Sequence, residues 1–154
     1  MVHGISSRTL LRSVPADGGS VYQWAAGTTT ITSEGIDTLG YNAARIFVKL
    51  GAITSGGVQS VKVQQSDDDA VADAYSDIAG TSQSWLDTED DTIRMVDIYK
   101  PGKRWLTVVV ARATQNSAID GIMVELYNPA QSVVSQHATV SGCEFFNQPA
   151  EGTA

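Results

Sequence analysis

Period-two alternation of apolar and polar residues runs through the middle of the chain. Ile46, Val48 and Leu50 alternate with Arg45, Phe47 and Lys49. Val61 and Val63 alternate with Ser60, Lys62 and Gln64, and Ile122, Val124 and Leu126 alternate with Gly121, Met123 and Glu125. Successive side chains of a strand point to opposite faces, so each run predicts a strand with one buried face. Thr92 to Tyr99 and Arg104 to Arg112 also read as strands. The second is apolar on both faces, with Leu106, Val108 and Val110 on one and Trp105 and Val109 on the other. That pattern predicts a central strand covered on both sides, with Trp105 in the core.

Turn residues punctuate these runs. Asp17-Gly18-Gly19, Ser55-Gly56-Gly57, Pro101-Gly102 and Asp120-Gly121 each supply residues that tolerate turn conformations. The best helical candidate, Asp68 to Tyr75, is short and acidic. Short strands separated by turn signals predict an all-β fold, a β-sandwich of about eight strands and of jelly-roll type. Residues 36–127 form the expected sandwich core. Residues 1–35 and 128–154 are less periodic and read either as edge strands or as arms that reach a neighbouring subunit. Leu10, Leu11 and Trp24 at one end, and Phe145 and Phe146 at the other, are the candidate contact residues of these segments.

Composition narrows the function. At 154 residues the chain fits one domain, which buries roughly 70% of its unfolded surface and needs no staples. Ten basic against seventeen acidic residues give a net charge of −7. That balance argues against nucleic acid, which needs a basic footprint, and against an anionic membrane surface. No apolar stretch has the length of a secretory or membrane segment. A single cysteine, Cys143, excludes an internal disulfide and fits assembly in a reducing cytoplasm.

Candidate reactive groups are sparse. The two histidines are His3 and His137, and no nucleophile context surrounds His137 and Cys143. Asp67 to Asp69 with Asp73, and Asp87 to Asp91, are the acidic clusters, and neither has the spacing of a calcium loop. They read as solvated turns, and no metal or cofactor is expected. Of Trp24, Trp85 and Trp105, Trp85 follows Ser82-Gln83-Ser84 in an apparent loop, where it would be free to anchor a subunit contact or stack on a sugar.

One series of short motifs resembles a known family. It comprises Gly40-Tyr41-Asn42-Ala43-Ala44 leading into Arg45-Ile46-Phe47-Val48, then Gly51-Ala52-Ile53-Thr54 and Val61-Lys62-Val63-Gln64-Gln65-Ser66-Asp67-Asp68. It continues with Tyr75-Ser76-Asp77-Ile78-Ala79-Gly80, Gly102-Lys103-Arg104-Trp105-Leu106, Val108-Val109-Val110-Ala111-Arg112-Ala113-Thr114 and Ala118-Ile119-Asp120-Gly121. Over roughly residues 38–127 the series is similar to capsid decoration (cement) proteins of tailed phages, small virion proteins encoded near the major capsid gene. The resemblance implies a β-sandwich without enzymatic activity. It also implies a homotrimer bound to the major capsid protein on the outside of the virion, made in the host cytoplasm. It carries no active-site residues. The chain departs from the family pattern in the 27 or so residues that follow Tyr127. Two other readings fit the same residues: a carbohydrate- or receptor-binding module of a tail or fibre, and a tail-tube or head-to-tail connector protein.

Overall fold

In the computed structural model, residues 8–131 and 134–143 are described. Eleven strands make two antiparallel sheets packed face to face. The first sheet contains β1 (Leu10–Ser13), β2 (Trp24–Gly27), β5 (Tyr41–Ile53), β9 (Ile93–Tyr99) and β11 (Ser117–Pro129). Its order is β1-β11-β5-β9, and β2 also pairs with β11. The second sheet contains β3 (Ile31–Thr32), β4 (Ile36–Asp37), β6 (Val58–Ser66), β7 (Ser76–Asp77), β8 (Gln83–Leu86) and β10 (Trp105–Ala113). There β10 lies between β6 and the short pieces β3 and β4, and β7 and β8 flank β6. From β5 to β6, then from β9 to β10 to β11, the chain crosses from sheet to sheet, as in jelly-roll-like sandwiches.

The predicted alternation builds the core. Ala44, Ile46, Val48 and Leu50 of β5 face Val61 and Val63 of β6 and Leu106, Val108 and Val110 of β10, all of them buried. Val96 and Ile98 of β9 and Ile122, Val124 and Leu126 of β11 complete the layer. The sequence places Trp105 in the same core, but the structure does not. It leaves Trp105 half-exposed, with the Arg104 guanidinium 5.2 Å from its ring. Leu106, Val108 and Val110 already take the inward positions, so Trp105 must face out. Likewise β10 is central but not fully covered on both sides, since Val109 and Ala111 are only half-buried.

One helical candidate and one turn signal differ from expectation. Asp68 to Tyr75 is a series of turns and bends, not a helix. Its polar groups are spent locally: Asp68 accepts the main-chain N–H groups of Ala72 (2.8 Å) and Asp73 (3.0 Å), which is turn chemistry and competes with helix. Asp120-Gly121 lies inside β11, not between strands. Ile119 pairs with Leu50 and Gly121 with Lys49, so two steps along β11 match one along β5. This is a β-bulge at Asp120. It switches the inward-facing set from Ser117 and Ile119 to Ile122, Val124 and Leu126.

The loop carboxylates give the fold an acid dependence. Main-chain N–H donation from Asp73 holds Asp68 below the usual carboxylate range, and the Lys103 ammonium, 2.5 Å away, does the same for Asp73. Arg104 lowers Asp37, Lys62 lowers Asp77, the Gly56 N–H lowers Asp87 and Arg94 lowers Glu89. Each group binds protons more weakly in the folded than in the unfolded chain. Their stabilisation is therefore complete above the unfolded carboxylate value of about 4 and is lost as pH falls through and below it. Urea midpoints should slip below about pH 6.5, where burial keeps His137 neutral in the folded but not the unfolded chain, and fall further from about pH 5 towards about pH 3 as the carboxylates protonate. A midpoint that rises on acidification would contradict this assignment.

Candidate functional site

The outward face of the first sheet and its β9 edge make up the candidate site. Main-chain bonds from Leu50 N to Thr92 O (2.9 Å) and from Lys100 N to Asn42 O (2.7 Å) fix the pairing phase of β9 with β5. Even-numbered residues from Thr92 to Lys100 therefore bond to β5. The main-chain groups of Ile93, Met95, Asp97 and Tyr99 point away from the sheet. No described strand pairs on that side. One of these groups is occupied, because Gln83 Nε2 of β8 donates to Met95 O at 2.8 Å.

The same parity sends the side chains of Ile93, Met95, Asp97 and Tyr99 outward, with Ile93 54%, Met95 50% and Tyr99 63% exposed. Cross-strand pairing continues the apolar surface inward from this edge, since Met95 lies beside Phe47 and Phe47 beside Met123. The next row is charged and clamps three strands. Arg45 of β5 donates to Asp97 of β9 (3.1 Å) and to Glu125 of β11 (3.2 Å), and Tyr127 donates to Asp97 at 2.7 Å. An unpaired edge next to exposed apolar side chains is a template for another chain, whereas most edges are shielded by charge or bulges. Here Asp97 is the one charged residue on the outward face of β9.

The residues singled out from the sequence scatter. Leu10 and Trp24 are partly buried against the core, one on β1 and one on β2. Leu11 faces out, 39% exposed, opposite Glu125. Trp85 is the clear correction. It is not in a loop but in β8, paired with Gln59 of β6, and it is 1% exposed. Its four-residue strand puts it inward, with the Arg94 guanidinium 5.8 Å from its ring, so it serves neither a subunit contact nor sugar stacking. Phe145, Phe146 and His3 lie outside the described residues. His137 Nδ1 accepts from Thr139 N at 3.2 Å, and Cys143 is exposed. Among the described residues no group of three or more His, Cys, Asp or Glu side chains is arranged to hold a metal.

The stretch after Tyr127 turns back along β1. Gln136 accepts from Leu11 N (2.9 Å) and donates to Thr9 O (2.6 Å), and Thr139 accepts from Ser13 N (3.1 Å). These contacts cover the β1 edge, whereas β9 and the four-residue β2 pair with no described strand on their outer sides. The β9 edge was missed at the sequence level, although the outward residues Ile93, Met95 and Tyr99 are apolar at alternate positions.

No protein-family model matches the chain, and no curated protein matches it. Solved structures with a similar arrangement include chitosan-binding module 1 of a chitosanase/glucanase from Paenibacillus sp. IK-5. Its identity is 16% and its TM-score 0.40, over 77% of this chain and 94% of that one. The CBM22-1–GH10 modules of Clostridium thermocellum endo-1,4-β-D-xylanase 10B match at 10% identity and TM-score 0.43, over 85% of this chain and 29% of that one. Eiger TNF from S. frugiperda matches at 8% identity and TM-score 0.40, over 84% and 99%. Likenesses this distant assign no function.

Proposed function

We propose that the chain is a non-enzymatic structural protein of a tailed-phage virion, which binds the outer surface of the capsid and bridges major capsid subunits as a homotrimer. The motif series over residues 38–127 supports the family, and the observation that carries the docking role is the β9 edge. Ile93, Met95 and Tyr99 there expose apolar side chains beside main-chain groups that pair with no described strand, Met95 O alone being taken by the Gln83 amide. Such an edge takes up an extended segment of a partner by strand addition, with main-chain bonds giving affinity and alternate side chains giving register.

The work is thermodynamic. A protein that binds only the assembled lattice stabilises that lattice by mass action. Three linked feet exceed the affinity of one by about a hundredfold or more, so each foot can be small. The net charge of −7 suits an outer position, away from packaged DNA.

The test is co-sedimentation of the purified chain with expanded shells that lack it, with light scattering of the free chain. Saturation at a fixed number of copies per lattice site, and a trimer in solution, are the expected results. Met95→Lys and Ile93→Lys should each weaken shell binding at least about tenfold. Both residues are half-exposed, so the fold should be unaffected. Absence of the chain from purified virions defeats the virion role, and undiminished binding by both variants defeats the β9 edge as the foot. A ring of fixed higher order in solution would favour the connector reading instead.

A further inference from the structure

A cleft opens on the same outward face, on the β11 side away from β9. Its origin is the bulge at Asp120. Gly121, paired with Lys49, brings no side chain to the outward face, so the sheet has a bare floor at that point. The segment before β2 forms one wall, with Tyr22 O lying 3.8 Å from where a Gly121 Cβ would be. Val21, Tyr22, Gln23, Met123, Ser13 and Lys49 border the floor of this open cleft, whose volume is about 600 Å³. Small-ligand clefts run to about 300–1,000 Å³.

The chemistry of the lining is selective. The Lys49 ammonium is already committed, donating to Leu50 O (2.9 Å) and Asp91 O (2.6 Å). Asp120 is not: its carboxylate leans over Gly51, where a Cβ would meet Oδ1 at 2.6 Å, and it has no hydrogen-bond or ion-pair partner among the described residues. The cleft therefore combines the unpaired Asp120 carboxylate and the Tyr22 carbonyl with further polar residues, Ser13 and Gln23, and with Met123, Val21 and Tyr22 as residues of apolar or aromatic character. Lys49 and Asp120 leave the lining close to charge balance, but the Lys49 donors are taken while the Asp120 acceptors are open, so a hydrogen-bond donor fits better than an anion. A purely apolar ligand would strip water from that carboxylate without replacing it. A sugar ring meets both demands, since its hydroxyls donate to the carboxylate and amide while its C–H face packs on the aromatic and thioether surface.

We propose that this cleft binds an oligosaccharide free of anionic groups, in addition to and independently of the shell-docking role. The bulge supplies both the free carboxylate and the bare floor. The floor of the cleft lies on β11, two strands from β9 in the order β11-β5-β9, while Lys49 on its rim pairs with Ile93 of β9.

The test uses amide NMR spectra of the isotope-labelled full chain, titrated with cellohexaose, mannohexaose, a glucosamine hexamer and, as the anionic control, a galacturonate hexamer. At least one of the first three should give saturable shifts that cluster at Tyr22, Gln23, Gly121 and Met123. The galacturonate should give none there. Gly121→Val fills the floor and Asp120→Asn removes the charged acceptor, and each should weaken binding at least tenfold. Spectra of both variants should otherwise match the parent, and Tyr22→Ala, remote from the strand pairing, is the third variant should Gly121→Val disturb the sheet. The proposal is overturned by silence at these residues with all three uncharged or amine-bearing sugars. Equal binding of the galacturonate, or shifts elsewhere on the surface, would also overturn it. Shell binding is read separately, so failure of either role leaves the other standing.

Discussion

Trp85→Ala should destabilise the chain by about 3–5 kcal/mol, the range for removing a buried aromatic side chain from a core. Trp85 is 1% exposed and is the largest of the fully buried side chains. It belongs to the core cluster and is anchored through its pairing with Gln59 of β6, so alanine leaves a cavity there. The urea midpoint reads the loss. Trp85→Phe is the informative partner. The indole Nε1 has no hydrogen-bond partner in its buried position. Phenylalanine keeps most of the volume and removes that donor, so its cost should stay below about 1.5 kcal/mol. A surface contact residue would behave differently, with both substitutions leaving the midpoint unmoved while weakening assembly.

The misplacement of Trp85 shows where the sequence stops being legible. Long runs carry their own phase: from Arg45 to Leu50 and from Gly121 to Leu126 the alternation names the buried face, and the structure buries that face. Residues Gln83 to Leu86 are too few to establish a period, and their Ser and Gln neighbours read as loop. Only pairing with β6, a contact distant in sequence, makes them a strand. The same holds for β2, β3 and β4, which are two to four residues long and exist because β10 and β11 offer them an edge.

Other features were legible but easily misread. Asp120-Gly121 has the composition of a tight hairpin turn. Yet Ile119 and Ile122 are three residues apart, and three is incompatible with one face of a regular strand. That slip in phase is the sequence signature of the bulge, and with it of the cleft. The β9 edge is visible as an alternation of Ile93, Met95 and Tyr99, but alternation alone does not say which side of a strand lacks a partner. Order within the sheet decides that, and order is a property of the whole chain.

Phase also exposes the least expected core residue, Arg112. It continues the inward series of Leu106, Val108 and Val110, pairs with Gln59, and is buried although charged. Among the described residues no carboxylate reaches it. Instead Nε donates to Thr29 O (2.8 Å), and Nη1 donates to Ala25 O (2.8 Å) and Ser117 O (2.8 Å). One guanidinium thus ties β10 of the second sheet to β2 and β11 of the first. Gly27 lets β2 approach it, since a Cβ there would stand 3.4 Å from Nη2. Arg112→Met keeps the stem and removes the charged donor from three carbonyls. Hydrogen bonds to a charged group contribute about 1.5–3 kcal/mol each, and release of a desolvated cation offsets part of their loss. The net expectation is a destabilisation of about 2–4 kcal/mol by urea unfolding. Arg112→Lys should recover less than half of it, because a single ammonium cannot reach the acceptors that the Nε and Nη1 donors serve around the edge of the planar guanidinium. Amide exchange should accelerate first in Trp24 to Gly27, whose hold on the sandwich the arginine supplies, and later in β5. A methionine variant with an unchanged midpoint and unchanged exchange in β2 would show that the two sheets are held together at this end by apolar contact alone.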